Sequence, residues 1–435
     1  MIMFLYNFYF FNSYIYASQN NIDNVKNTNL ELFCNSGLAM DFETGNVLYS
    51  NNATKKIYPA STTKILTCII AIENMNLNDT TIISNKVIKN TPSDSSIMGI
   101  KSGELYTIEE LLYGLMLPSG NDAALAIAEA VSNSTSNFVE LMNKKAKELG
   151  CKETNFTNPH GYHDDNHYST VYDMAIIFRH CLKNETFKKI ISTNEITVKA
   201  ANSDRILNLK NSNRMQNPSY PKTYYQDMKG GKTGYTFEAR GTFIGYAIRD
   251  GKTVIAAAFD GSQNINGMQG RFLDTATLLD YSFSNYSKNL VINSNDYTFN
   301  IYDEKNKKCY TVKLENDVYG LFKELPNIEY SININNNEFD NISDKNKEEF
   351  YNKIIGTINF KYNFKDNYIN TTSNISNEYN LVLIDVSNYI TSNTIYKISF
   401  SIIGIFIFIL CLINIHIKKK KKRKKKSKYN FYPYN

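Results

Sequence analysis

Three short segments carry side chains suited to acyl transfer. The first is Ser61-Thr62-Thr63-Lys64, which follows Pro59-Ala60. The second is Ser119-Gly120-Asn121, with Ser119 lying 58 residues beyond Ser61. The third is Lys232-Thr233-Gly234, preceded by Gly230-Gly231. Residues i and i+3 of a helix face the same side, so Ser61 and Lys64 put a hydroxyl and an amine within reach of each other. A serine hydroxyl becomes a competent nucleophile when a base takes its proton. Lysine is that base when burial or a neighbouring cation lowers its pKa, and a helix N-terminus favours the negative oxygen that results. Ser119 offers a second hydroxyl to relay protons, and Asn121 an amide to hold substrate. Lys232 and Thr233 on a strand suit a substrate carboxylate, and Gly234 lets a substrate backbone approach. Singly, each segment is a weak signal. Ser-x-x-Lys is common on solvated helix faces, and Ser-Gly-Asn is an ordinary turn.

Two other chemistries fit less well. Gly231-Lys232-Thr233 looks like the end of a phosphate-binding loop, but that pattern needs a glycine where Gln226 stands and a helix where Thr236–Ile248 reads as strand. His160, His163, His167, Asp164 and Asp165 crowd one loop without the spacing of a zinc motif. Neither a metal nor an organic cofactor is expected. The six cysteines (Cys34, Cys68, Cys151, Cys181, Cys309, Cys411) are scattered, with no CxxC, and imply neither a disulfide framework nor a zinc ribbon.

The elements that must position these segments read as follows. Gly37–Tyr49 gives two short strands around Glu43-Thr44-Gly45. After Pro59 the apolar residues Ile65, Ile69 and Ile72 mark a long helix, and Ile108–Met116 and Asp122–Val131 mark two more. Pro118 breaks the chain before Ser119. Residues 242–259 read as a hairpin turning at Asp250-Gly251, and Phe272–Phe283 as a closing helix. Strands at both ends with helices between them predict an α+β fold: an antiparallel sheet flanked by helices, not a parallel βαβ array.

Taken together and in order, the three segments resemble the serine acyl-transfer set of β-lactamases and penicillin-binding proteins. More of the text is similar to one branch, the low-molecular-mass penicillin-binding proteins that are serine-type D-alanyl-D-alanine carboxypeptidases. Asp41–Tyr49, Tyr58–Thr67, Leu117–Ala124, Asn158–Gly161, Tyr168–Ala175, Gly230–Ala239 and Leu278–Phe283 carry the resemblance, over roughly residues 30–285. It implies a β-lactamase/transpeptidase-like fold and the hydrolysis of peptidoglycan stem peptides ending in D-Ala-D-Ala. By position it implies Ser61 as nucleophile, Lys64 as general base, Ser119 as proton relay and Asn121 as orienter of the substrate amide. Lys232 and Thr233 would bind the terminal carboxylate, with Gly234 beside them, and the backbone N–H groups of Ser61 and Tyr235 would form the oxyanion hole. β-Lactam antibiotics would acylate the same serine. The alternatives are a β-lactamase, a D,D-transpeptidase or endopeptidase using the same acyl-enzyme, and a non-enzymatic wall-binding protein. Against a class A β-lactamase, the second segment is Ser-Gly-Asn and not Ser-Asp-Asn.

Charge and hydropathy place this domain in the chain. The 435 residues carry a formal charge of +6. The run Lys418–Lys428 contributes ten positive charges, so the rest of the chain stands at −4. Residues 398–417 hold no Lys, Arg, Asp or Glu, and 20 helical residues span about 30 Å, the thickness of a bilayer core. A transmembrane helix there, with a basic cytoplasmic tail at 418–435, puts the catalytic body on the outer face of the cell membrane. The basic run then faces anionic lipid and argues for no nucleic-acid partner. Residues 1–17 are apolar and aromatic and read as a signal peptide or a retained hydrophobic segment. Residues 18–28 read as a linker, 29–286 as the peptidase domain, and 287–390 as a small β-rich domain without a chemical motif.

Overall fold

The structure is a computed structural model. It describes residues 30–388, apart from 262–263, 266–267, 304–307, 323–326, 335–341, 343–345 and 364–373. The hydrophobic segment and linker at the N-terminus, the expected span at 398–417 and the basic tail fall outside these residues. Among the described residues, no helix is long and apolar enough to cross a membrane.

The core of the first compact unit is a five-stranded antiparallel sheet built from β1 (Ser36–Asp41), β2 (Val47–Asn51), β3 (Met228–Thr236), β4 (Arg240–Arg249) and β5 (Lys252–Gly261), in the order β2-β1-β5-β4-β3. The central strands β4 and β5 carry nearly continuous apolar runs, Phe243–Ile248 and Val254–Phe259, because both faces are covered. Leu38 and Met40 of β1, Ile244 and Tyr246 of β4 and Ile255, Ala257 and Phe259 of β5 join one core cluster. Their alternate neighbours Ala39, Phe243, Ala247, Val254 and Ala256 join the other. That alternation is the period-two geometry of a strand acting on both faces at once. The turn between β4 and β5 is the expected Asp250-Gly251, with φ of 51° and 69° and Arg249 paired to Lys252. Two positive φ values give the tight turn whose twist matches the strands it joins.

The larger cluster is filled by helices inserted between β2 and β3: α1 (Lys64–Asn74), α2 (Asn85–Asn90), α3 (Ile108–Met116), α4 (Asn121–Ser132), α5 (Thr135–Glu148), α6 (Val171–Cys181) and α7 (Glu185–Ser192). The closing helix α8 (Gly270–Asn285) packs Phe272, Leu278, Leu279 and Phe283 into the other cluster. The fold is thus α+β with an antiparallel sheet, as the sequence predicts. The helix α3 begins at Thr107, whose hydroxyl accepts from Glu110 N (3.2 Å) while the Glu110 carboxylate accepts from Thr107 N (2.8 Å), a reciprocal cap.

The chain resolves into two compact units. The first includes everything described up to Asn293, together with 317–331 and 359–378. Here Ser287–Ile292 pairs with Val318–Phe322. The second unit takes 294–316, 332–358 and 379 onward, and contains the antiparallel pairing of Thr298–Asp303 with Lys308–Leu314.

Candidate active site

Ser61 lies in a single 3-10 turn, Ala60–Thr63, that leads directly into α1, so Lys64 is the first residue of the α-helix. Ala60 enters the turn with φ of 49°, a strained conformation for a residue with a Cβ, costing on the order of 1–3 kcal/mol. Lys64 is fully buried. Its Nζ is 3.0 Å from Ser61 Oγ, 2.6 Å from Asn121 Oδ1 and 2.6 Å from the His160 carbonyl oxygen. Burial, with the Lys232 ammonium second, holds the Lys64 amine well below the ordinary lysine range, while Asp122 works the other way. A neutral amine has two N–H donors and one lone pair. The two carbonyl oxygens accept both donors, which leaves the lone pair for the Ser61 hydroxyl proton.

Ser119 and Asn121 sit where α3 turns into α4. Asn121 is the first residue of α4, as expected of a turn before a helix. Ser119 is buried with φ of 67°. Its Oγ has no hydrogen-bond partner, so it bonds neither Lys64 nor Lys232 in this arrangement. A buried hydroxyl left unpaired is unfavourable, and together with the strained backbone it marks a site kept ready for a visitor.

The third segment occupies β3, the edge strand of the sheet. Lys232 is buried, and its Nζ donates to Thr233 O at 3.0 Å. Burial, with the Arg271 guanidinium second, pushes its amine down to about 7. The Thr233 and Ser212 hydroxyls lie 2.6 Å apart. A Cβ on Gly234 would stand 2.4 Å from Thr242 Oγ1 and 2.9 Å from Ser61 N. Only glycine lets β3 pass this close to the nucleophile's turn. Tyr235 follows with its side chain 68% exposed.

The crowded histidine loop serves the site through its backbone. His160 supplies the carbonyl that receives Lys64, and its Nδ1 accepts from Tyr162 N at 3.1 Å. His167 Nδ1 accepts from Thr157 N at 3.1 Å, so Nε2 carries the proton and donates to Thr63 Oγ1 at 2.8 Å. Burial pushes the His167 imidazole down to about 4, a neutral ring near neutral pH. His163 instead stands between Asp165 (3.3 Å) and Glu238 (3.7 Å). Among the described residues, no three His, Cys, Asp or Glu side chains converge on a point that could hold a metal ion.

The structure therefore gathers Ser61, Lys64 and Asn121 by direct hydrogen bonds and sets β3 against them. It adds four participants that the three segments do not announce: the His160 carbonyl, Ser212, Asp122 and Arg271. Arg271 is buried, and its guanidinium donates to Gly234 O at 2.5 Å and Thr242 O at 3.2 Å. Ser212 and Arg271 lie 20 residues before and 39 residues after Lys232, so nothing in the local pattern points to either.

Comparison with known proteins agrees with this geometry. Residues 23–263 match the Peptidase_S11 family, D-alanyl-D-alanine carboxypeptidase. The D-alanyl-D-alanine carboxypeptidase DacF of Bacillus subtilis is 35% identical over 280 residues, covering 63% of this chain and 68% of that protein. DacB2 of Mycobacterium tuberculosis, of the same description, is 31% identical over 249 residues, covering 57% and 81%. Among solved structures, the Streptomyces K15 DD-transpeptidase superposes with a TM-score of 0.54 at 30% identity, covering 59% of this chain and 99% of that one.

Proposed function

The chain belongs to the D-alanyl-D-alanine carboxypeptidase family, and on that premise we propose that it is a serine enzyme that removes the terminal D-alanine from peptidoglycan stem pentapeptides. The observation that carries the proposal is the Lys64 amine, buried, depressed in basicity, with both donors taken by carbonyl oxygens and Ser61 Oγ at 3.0 Å.

In this reading the substrate's terminal carboxylate meets Lys232 and Thr233 on β3. Ser61 Oγ attacks the carbonyl of the penultimate D-alanine as Lys64 takes its proton. The N–H groups of Ser61 and Tyr235 face the developing oxyanion, an interaction whose loss typically costs about 3–4 kcal/mol in the barrier. The proton returns through Lys64 and Ser119 to the leaving D-alanine nitrogen, and Asn121 holds the peptide amide. Water then hydrolyses the acyl-enzyme and regenerates the serine. No step calls for a cofactor. A β-lactam ring opened by the same serine gives an acyl-enzyme that turns over slowly, hence penicillin binding and inhibition.

A second reading keeps the acyl-enzyme and changes the acceptor. The structural likeness to a protein described as a DD-transpeptidase supports it. Incubating the enzyme with a D-Ala-D-Ala pentapeptide and an amine acceptor separates the two by mass spectrometry. Loss of one alanine is the expected product, and ligation to the amine would favour the transpeptidase. Release of D-alanine or labelling by fluorescent penicillin that persists in Ser61→Ala would sink both.

The reading extends to location. An apolar stretch at 398–417 followed by ten basic charges supports a single C-terminal membrane span with the peptidase outside. Protease added to sealed cells should remove the peptidase and spare an epitope placed in the tail. An epitope lost from intact cells contradicts this orientation.

A further inference from the structure

Asp122 follows directly on the second segment and has no role in the proposed chemistry. It is 2% exposed. Its Oδ1 accepts from Met98 N at 2.7 Å and from its own neighbour Ala123 N at 2.8 Å. Its Oδ2 accepts from Gly99 N at 2.7 Å and Ile100 N at 3.1 Å. Four backbone N–H groups converge on one carboxylate, and three of them come from a segment more than 20 residues away. The same segment is fastened a second time, by Asn121 N donating to Ser96 O at 2.8 Å. Just before these two ties lies Gly120, where a Cβ would stand 2.7 Å from Met98 N. The residues 96–100 are thus pressed onto Gly120, Asn121 and Asp122, directly after Ser119.

We propose that Asp122 is a positioning residue of the catalytic centre: its carboxylate clamps Met98–Ile100 against the second segment and so fixes where Ser119 and Asn121 stand relative to Lys64. The inference rests on the acyl-transfer reading above. Ser119 has a positive φ and an unpartnered hydroxyl, so nothing in its own side chain holds it in place. Asn121 reaches Lys64 at 2.6 Å, a contact that a small shift of the start of α4 would break. An acceptor-only group is required at 122. Asparagine would turn an NH2 toward the N–H groups of Gly99 and Ile100, opposing donor to donor.

Asp122 also contributes charge. The ionisable groups acting on Lys64 or facing it are Asp122 from α4, Lys232 from β3, and His160 and His167 from the loop behind Ser61. Asp122 is the anion of this set. Lys64 acts as a base when neutral, so acylation rises with pH through its pKa. Removing the anion makes the amine easier to deprotonate and moves this acidic limb to lower pH.

The test uses the full chain and fluorescent penicillin, read as the acylation rate against pH. Asp122→Asn is expected to acylate about 10- to 100-fold more slowly, with its acidic limb displaced to lower pH. Asp122→Glu keeps the charge in the wrong place, and should lose rate while the limb stays. A merely structural role would change melting temperature without moving the limb. Hydrogen exchange of the wild-type chain gives an independent reading, with the amides of Met98, Gly99 and Ile100 expected among the protected ones. Free-peptide exchange at these amides overturns the clamp even if no variant folds. A folded Asp122→Asn that acylates at the wild-type rate with an unmoved limb overturns the positioning role. Absence of labelling in the wild-type chain removes the acyl-transfer reading, and the proposal with it.

Discussion

Lys64 Nζ lies 3.0 Å from Ser61 Oγ, and its other two directions are filled by Asn121 Oδ1 and the His160 carbonyl, each at 2.6 Å. Two carbonyl acceptors fix the amine and aim its third direction at the serine, and this determines both its orientation and what can replace it. Lys64→Ala should lower acylation by about 10²- to 10⁴-fold, the usual contribution of a positioned base. Lys64→Arg should not rescue it, because a guanidinium keeps its proton and offers no lone pair. Penicillin labelling of Lys64→Arg near the wild-type rate would mean that the base lies elsewhere.

The two active-site lysines should divide the pH profile between them. Lys64 must be neutral to accept a proton, so kcat/KM rises as pH passes upward through its depressed pKa. Lys232 must be charged to hold a carboxylate, and that charge is lost as pH rises through about 7 in the free enzyme. The expected profile is a bell, with the alkaline limb belonging to Lys232 and the macroscopic values shared by the coupled pair. Lys232→Arg supplies a charge that does not titrate. It should abolish the alkaline limb even if the overall rate falls. A limb unchanged in this variant would assign it to another group.

Gly234→Ala should separate catalysis from folding. The added methyl would meet Thr242 Oγ1 at 2.4 Å and Ser61 N at 2.9 Å, displacing β3 from the nucleophile's turn. The expected stability loss is about 1–3 kcal/mol. The acylation rate should fall by about 10²- to 10³-fold, as when one oxyanion donor is misplaced. A variant that loses stability alone would show that this approach is packing and not chemistry.

The first unit does not end where its last long helix ends. Asp41 is buried, and its carboxylate accepts from Thr44 N at 3.1 Å and Leu321 N at 3.3 Å. Leu321 itself is part of the core beneath α8. A chain stopped at Tyr286 loses that leucine and leaves the Asp41 carboxylate short of a donor. Together these should cost about 2–5 kcal/mol relative to a chain carried to Asn388. Urea unfolding of the two chains measures the difference, and equal midpoints would rule out a stabilising role for 317–322.

The sequence revealed features whose cause is local. Asp250-Gly251 announces its hairpin because two consecutive positive φ values need such residues. Ile108–Met116 is legible from its apolar spacing, and the structure closes its start with the reciprocal cap of Thr107 and Glu110. By contrast, Thr135–Glu148 buries only Phe138, Met142 and Ala146 on an otherwise polar surface, and its apolar signal is thin. At the site, Ser61, Lys64, Ser119, Asn121 and Lys232 were visible as side chains at recognisable spacing. The His160 contribution was not, because a carbonyl oxygen is common to every residue. Asp122 was hidden for a related reason: its partners are backbone amides, which leave no mark in a sequence.

The order β2-β1-β5-β4-β3 has one more consequence. Ser36 pairs with Phe259, so the first strand of the sheet finds its central neighbour more than two hundred residues later. All seven helices between β2 and β3 are made before the sheet can close, and β3 comes against the Ser61 turn, at Gly234, only through that closure. Contacts so distant in sequence make folding slow. They also mean that a chain interrupted during synthesis carries the serine and its base but not the strand opposite them. A chain cut short before Met228 therefore has no strand to set against Ser61, and its centre stays incomplete.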